Sequence, residues 1–165
     1  MCGIAGIAGN QNPALIERMT RLLAHRGPDG EGFHVGEGIA LGHRRLVVLD
    51  REGGVQPMHD ATGRYTLVYN GEVYNYRALR ERLRTVGFEF HTQCDTEVVL
   101  AALIHWGESA LEQFQGMFAL ALWDRVESRL LLARDPVGVK PLYYARCGNT
   151  LYFASEMKSI LCCPE

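Results

Sequence analysis

From Gly3 to Ala8 the residues are small and apolar with no polar interruption, the pattern of a buried strand. Asn12-Pro13 then opens a helix that runs to about His25: Leu15, Met19, Leu22 and Leu23 recur at i, i+4, i+7 and i+8 and share one face. Arg26-Gly27-Pro28-Asp29-Gly30 is a turn-rich stop. Between residues 39 and 50, strand character lies in Leu46-Val47-Val48-Leu49, and Gly53-Gly54 with Pro57 marks a loop. Residues 65–69 read as a strand that Asn70-Gly71 breaks. Residues 77–86 read as a helix with Gly87 at its C-terminal stop, and Asp95–Trp106 as another that ends at Gly107, with Asp95 or Thr96 available as its cap. From Met117 onward the pattern changes to strands over 118–124, 129–134, 142–146 and 151–155, separated by turn residues as in antiparallel hairpins. Few strands alternate singly with helices, so the expected class is α+β rather than a doubly wound parallel sheet.

Composition narrows the function classes more than the fold. A chain of 165 residues with no internal repeat, low-complexity stretch or linker is most simply one domain, and 47% apolar and 22% charged residues are ordinary for a soluble globular protein. A formal net charge of −2 gives no electrostatic reason to expect nucleic acid or an anionic membrane as a partner. No apolar run approaches the roughly 18 residues that span a bilayer, and the N-terminus lacks the basic-then-apolar order of a signal peptide. The five cysteines, Cys2, Cys94, Cys147, Cys162 and Cys163, are odd in number and form no CxxC pair. A disulfide framework is therefore not expected, and a reducing cytoplasm fits better. The adjacent Cys162 and Cys163 have no His or second Cys pair at ligand spacing, so no metal is expected.

The candidate chemistry begins at Cys2. Its small side chain makes the preceding Met1 a target for removal, which would leave a thiol and a free α-amine on one residue. An α-amine titrates near roughly 7.7–8 and suits a general base at physiological pH. A thiolate attacking a carboxamide creates an oxyanion, which preorganised donors stabilise by about 2.7–4 kcal/mol each. Asn70-Gly71, directly after an apolar strand, offers a side-chain N–H and a backbone N–H, although the same dipeptide is also an ordinary turn. A free amino-acid head calls for an Arg fork and a carboxylate. Arg45 and Asp95 are candidates, with a surface charge and a helix cap as their routine alternatives.

Nine short stretches, in order and nearly end to end, carry a resemblance. They are Met1-Cys2-Gly3-Ile4-Ala5-Gly6, His25-Arg26-Gly27-Pro28-Asp29, Gly42-His43-Arg44-Arg45-Leu46, Gln56-Pro57-Met58, Tyr69-Asn70-Gly71-Glu72-Val73-Tyr74-Asn75, Cys94-Asp95-Thr96-Glu97-Val98, Gly116-Met117-Phe118-Ala119, the run from Arg134-Asp135-Pro136 through Gly138-Val139-Lys140-Pro141-Leu142-Tyr143, and Phe153-Ala154-Ser155-Glu156-Met157-Lys158. Together they resemble the glutaminase domain of class II glutamine amidotransferases, most closely the asparagine synthetase branch.

The resemblance implies an N-terminal-nucleophile hydrolase fold, a four-layer αββα sandwich with two antiparallel sheets. It implies Cys2 as nucleophile with its own α-amine as base, and Asn70 and Gly71 as the oxyanion hole. It places Arg45 on the α-carboxylate of L-glutamine, Asp95 on its α-ammonium with help from Glu72, and Leu46 and Val48 along the pocket. Arg26 and Asp29 read as loop scaffolding near the site, and Arg134, Asp135 and Lys140 as structural. The implied reaction yields glutamate and ammonia and needs no metal or cofactor. No Ser-Gly-Gly-x-Asp-Ser-like or Gly-x-x-x-x-Gly-Lys-Ser/Thr loop appears in the chain, so ATP and Mg are expected only for an ammonia-accepting synthetase domain outside it. The chain is therefore expected to be a glutaminase domain truncated at its C-terminus, from a cytoplasmic protein; a homodimer is compatible. Two alternatives stand beside it: a non-catalytic glutamine-sensing or ammonia-gating module, and an amidotransferase with another acceptor, a phosphosugar or a different carboxylate.

Overall fold

The computed structural model describes residues 1–48, 50 and 52–163. In chain order its elements are β1 (Gly3–Ala8), α1 (Pro13–Arg21), β2 (Gly30–Gly36), β3 (Ile39–Arg45), β4 (Met58–His59), β5 (Tyr65–Val73), α2 (Tyr76–Thr85) and α3 (Asp95–Trp106). A 3-10 turn over Gly107–Gln113 leads to β6 (Gly116–Asp124), β7 (Arg129–Arg134), β8 (Tyr143–Cys147), β9 (Thr150–Ala154) and α4 (Met157–Leu161). Two antiparallel sheets result, one in the order β2-β3-β1-β9-β8 and one in the order β4-β5-β6-β7.

Strand alternation sorts the core into three layers. From β1, Ala5 and Ile7 pack with Leu15, Ile16, Met19 and Leu23 of the α1 region, while Ile4 points the other way. Ile4 joins Leu41, Val68, Ala121, Trp123 and Phe153 between the two sheets. Leu67, Tyr69, Phe118 and Leu120 turn from the second sheet toward Leu79 and Leu83 of α2 and Val98, Val99 and Ala102 of α3. The order is helix, sheet, sheet, helix. Both faces of β1 are buried, which is why its sequence shows an unbroken apolar run rather than alternation.

Four expectations are corrected. The first helix stops at Arg21, and Leu22 is exposed while Leu23 stays buried. Asn12 does open it, accepting from Leu15 N–H at 3.0 Å. The strand at 39–50 ends at Arg45; residues 46–48 form a loop, and Leu49 lies outside the described residues. Asn70-Gly71 does not break β5, which pairs with β6 from Tyr65↔Asp124 to Val73↔Gly116. Gly71 answers to crowding rather than to a turn, since a Cβ there would lie 2.5 Å from the Met117 carbonyl oxygen. Neither Asp95 nor Thr96 caps α3; Cys94 occupies the cap position without a side-chain bond, and the Asp95 carboxylate is engaged elsewhere. The Gly-rich β2 at the sheet edge and the short α4 have no counterpart in the sequence pattern.

Candidate active site

Seven pieces of chain meet around one cavity of about 240 Å³: the start of β1, the end of β3, the loop before β4, the middle of β5, the start of α3, the start of β6 and the loop after β7. Cys2 lines it one residue before β1. That strand end is pinned by Ile4 and Ser155, with Ile4 N–H donating to Ser155 Oγ at 3.0 Å and Ser155 N–H to the Ile4 carbonyl at 2.8 Å. Cys2 Sγ sits 3.4 Å from Leu46 N and 3.6 Å from Leu46 O. Burial pushes the Cys2 thiol up, against the Leu46 N–H and the positive charges of the chain start, Arg45 and Lys140. The net shift is upward, so the sulfur is a thiol at neutral pH and needs a base.

A bonded network backs the nucleophile. Arg26 Nε donates to the Cys2 carbonyl at 2.9 Å, and its Nη1 to Glu156 at 3.0 Å. Glu156 also faces His25 at 2.9 Å and Lys158 at 3.1 Å. Burial alone would raise the Glu156 carboxyl; the bonds from Arg26, His25 and Lys158 outweigh it and bring it down to about 2. The Met1 ammonium donates to the Arg26 carbonyl at 3.1 Å, which places it beside Cys2. Asp29 holds the next wall: its N–H donates to the Arg45 carbonyl at 3.0 Å and its carboxylate accepts from Val47 N–H at 2.8 Å.

The free edge of β5 supplies donors. The short β4 pairs with Thr66 and Leu67, and among the described residues β5 has no strand partner on that side beyond them. Tyr69 N–H is taken by Gln56 Oε1 at 2.6 Å and Val73 N–H by Asp95 Oδ2 at 3.0 Å. Gly71 lies between them on the same edge. Phe118, opposite Gly71, directs both its N–H and its C=O to Asp135, so the Gly71 N–H points toward the cavity side. Beside it, the Asn70 side-chain nitrogen is buried and has no hydrogen-bond partner. Two adjacent donors without an acceptor among the described residues are what a developing oxyanion requires.

The charged ends of the cavity are Arg45 and Asp95. Arg45 Nη2 donates to the Asp50 carbonyl, which orients the guanidinium from the end of β3. Asp95 is buried, and its Oδ2 accepts from Tyr69 OH at 2.8 Å. Burial pushes the Asp95 carboxyl up, against those two donors. The Tyr69 phenol is raised well above its ordinary value, by burial first and then by the Asp95 charge.

All eight residues singled out from the sequence, Cys2, Arg45, Leu46, Val48, Asn70, Gly71, Glu72 and Asp95, line this one cavity. Leu46 meets Cys2 through its backbone, and Val48 forms an exposed rim. Further wall residues not expected there include Gln56 and Tyr69, and Lys140, read from the sequence as structural, also lines the cavity. All three stand inside motifs already singled out, so adjacency was an available signal. Among the described residues no group of three or more His, Cys, Asp or Glu side chains is placed to hold a metal ion, and no helix is long and apolar enough to cross a membrane.

Comparison with known proteins bears on the family and the fold. A family model described as a glutamine amidotransferase domain matches residues 1–165. The chain is 42% identical over 169 residues to an asparagine synthetase [glutamine-hydrolyzing] of Bacillus subtilis, covering 98% of this chain and 27% of that protein. It is 38% identical to asparagine synthetase B of Escherichia coli, covering 98% of this chain and 30% of that protein. The chain thus spans under a third of the length of these relatives. Among solved structures, a glutamine phosphoribosylpyrophosphate amidotransferase from B. subtilis superposes with a TM-score of 0.83 at 24% identity, over 96% of this chain and 43% of that one. That likeness concerns the fold alone.

Proposed function

The chain belongs to the glutamine amidotransferase domain family, with the αββα sandwich of N-terminal-nucleophile hydrolases, and from that premise we propose that it hydrolyses glutamine through Cys2. One observation carries the proposal: the Cys2 thiol, the unpartnered Asn70 amide, Arg45 and Asp95 line a single cavity. An amino-acid head fits between Arg45 and Asp95, with its side-chain amide toward the thiol.

Release of Met1 frees the α-amine of Cys2, which takes the thiol proton. Sulfur attacks the amide carbon, and the carbonyl oxygen, now an oxyanion, accepts from Asn70 Nδ2–H and Gly71 N–H. The α-ammonium returns its proton to the departing nitrogen, the C–N bond breaks and ammonia leaves. Water, deprotonated by the same amine, then hydrolyses the γ-glutamyl thioester to glutamate and restores the thiol. Leu46 steadies the sulfur from its backbone, Glu72 supports the ammonium end, and Val48 closes the rim.

In this proposal the ammonia goes to an ATP- and Mg-dependent synthetase domain outside this chain, as the names of the relatives suggest, in a cytoplasmic protein. Intact mass and glutamate release, measured together, test the glutaminase step. The expected result is a chain lacking Met1 that releases glutamate from glutamine but leaves a simple aliphatic amide untouched, with activity abolished in Cys2→Ala. A Cys2→Ala variant that keeps most of the activity would falsify the assignment. A chain that retains Met1 and releases no glutamate would instead favour a glutamine-binding module.

A further inference from the structure

Lys140 is buried to 6% exposure and lines the cavity that holds Cys2. Its position is set by its backbone. The buried Asp135 carboxylate accepts from Phe118 N–H at 3.2 Å, Val139 N–H at 2.9 Å and Lys140 N–H at 3.0 Å. The turn is closed by Gly138 N–H on the Asp135 carbonyl at 2.9 Å, with Gly138 at φ 72°, a conformation glycine takes freely. Asp135 therefore ties the loop after β7 to the edge of β6 and delivers residue 140 to the cavity wall.

The ammonium itself has no hydrogen bond and no ion pair with any described residue. A structural lysine would have a carboxylate partner. A lysine with a buried stem and an unpaired ammonium that opens onto a reaction cavity is placed for its charge there. We propose that Lys140 is a positioning residue that acts through Cys2, fixing one positive charge at the cavity wall and so favouring the thiolate form of the sulfur.

The other charged neighbours of the thiol each have a further partner or a substrate contact to make. The chain-start ammonium and Arg26 lie behind Cys2, donating to the Arg26 carbonyl and to Glu156 respectively. Arg45, from β3, is oriented by the Asp50 carbonyl, and in the proposed complex it takes the substrate carboxylate. Asp95, from α3, is held by Tyr69 and Val73 and takes the substrate ammonium. The Tyr69 phenol and the Cys94 thiol are both raised by burial and stay neutral. With glutamine bound, the two head contacts cancel, and the charges left on the wall are Glu72 and Lys140. The Lys140 charge acts on the Cys2 thiol in the free protein in the direction opposite to burial, after the chain start and Arg45.

The mechanistic meaning of this inference rests on the glutaminase proposal, but its test does not need turnover. The rate of Cys2 alkylation by iodoacetamide, followed by peptide mass as a function of pH, reads the thiolate fraction. Lys140→Met and Lys140→Gln should move the midpoint to higher pH and slow alkylation at pH 7 by about three- to tenfold, and Lys140→Arg should restore it. With glutamine, the two neutral variants should lose kcat while KM stays within about twofold. An unchanged alkylation midpoint in a folded neutral variant overturns the inference. So does failure of both neutral variants to fold, which would assign Lys140 to the architecture. If the wild-type chain releases no glutamate yet the midpoint still moves, the charge effect stands and the glutaminase proposal fails.

Discussion

The side-chain nitrogen of Asn70 is buried and has no partner, a state that ordinarily destabilises a fold by about 1–3 kcal/mol. Its neighbours show why the position keeps it: Tyr69 N–H and Val73 N–H on the same strand are both satisfied by side chains, and only the pair at 70–71 is left facing the cavity. A donor kept idle in the free protein and used when an oxyanion forms has a recognisable mutational signature. Asn70→Ala should lower kcat for glutamine hydrolysis by about 10²–10³-fold. Its urea midpoint should stay at or above wild type, because the lost group contributes no bond to the fold and its removal relieves an unsatisfied donor. A parallel loss of stability and activity would assign Asn70 to structure instead. Residues of this kind were legible because short motifs place them side by side. Lys140 was read as structural, since nothing in the sequence shows that the loop after β7 delivers it to the cavity wall. Asp95 was legible as a carboxylate at a helix start, but its bonds to Tyr69 and Val73 depend on a strand that the sequence pattern appeared to end too early.

Helix α1 owes its position to a glycine. A Cβ on Gly42 would fall 1.9 Å from Thr20 Oγ1, 3.2 Å from Thr20 Cβ and 3.4 Å from Ile16 Cγ1, so the helix lies directly on the backbone of β3. Thr20 is fully buried there and bonds back to the Ile16 carbonyl at 2.7 Å. Gly42→Ala should therefore destabilise the domain by about 1–3 kcal/mol through overpacking. Thr20→Ala in the same chain removes the nearest clash and should recover part of that loss, giving a non-zero coupling in a double-mutant cycle of urea unfolding. Additive losses would show that the contact is not what seats the helix. At this scale, elements with an internal reason to exist were legible: β1 from its unbroken apolar run, and α3 from an apolar run that Gly107 ends. Strand β2 was not, because an edge strand rich in glycine, half exposed along its length, owes its existence to pairing with β3 rather than to its own pattern. The extension of β5 through Asn70-Gly71 was hidden for the same reason, being dictated by β6 alongside it.

Across the whole molecule, His43 joins the two sheets. It sits on β3 at 1% exposure, and its Nε2 lies 3.2 Å from the Tyr69 carbonyl on β5. Burial drives its imidazole from the ordinary 6.5 down to about 4, overcoming the bond to Tyr69. Between those values the unfolded chain binds a proton at this position and the folded chain does not, so stability falls as the pH drops from 6.5 to 4, by on the order of 3 kcal/mol. A second loss belongs to carboxylates. Glu156, held by Arg26, His25 and Lys158 despite its burial, and Asp124, held by Arg64, both lie at about 2 in the folded chain. Their contribution is complete above their unfolded values of 4.5 and 3.8 and disappears as the pH falls toward 2. Acid unfolding should thus proceed over two windows, the upper one set between the sheets and the lower one at the surface and behind Cys2. His43→Gln keeps a side-chain N–H for the Tyr69 carbonyl but cannot titrate. Its urea midpoint should be nearly flat from pH 6.5 to 4 and then fall as wild type does, whereas Glu156→Gln should keep the upper slope and flatten part of the lower one. An undiminished upper slope in His43→Gln would place the inter-sheet proton elsewhere, and the half-buried His34, also lowered by burial, would be the next residue to replace.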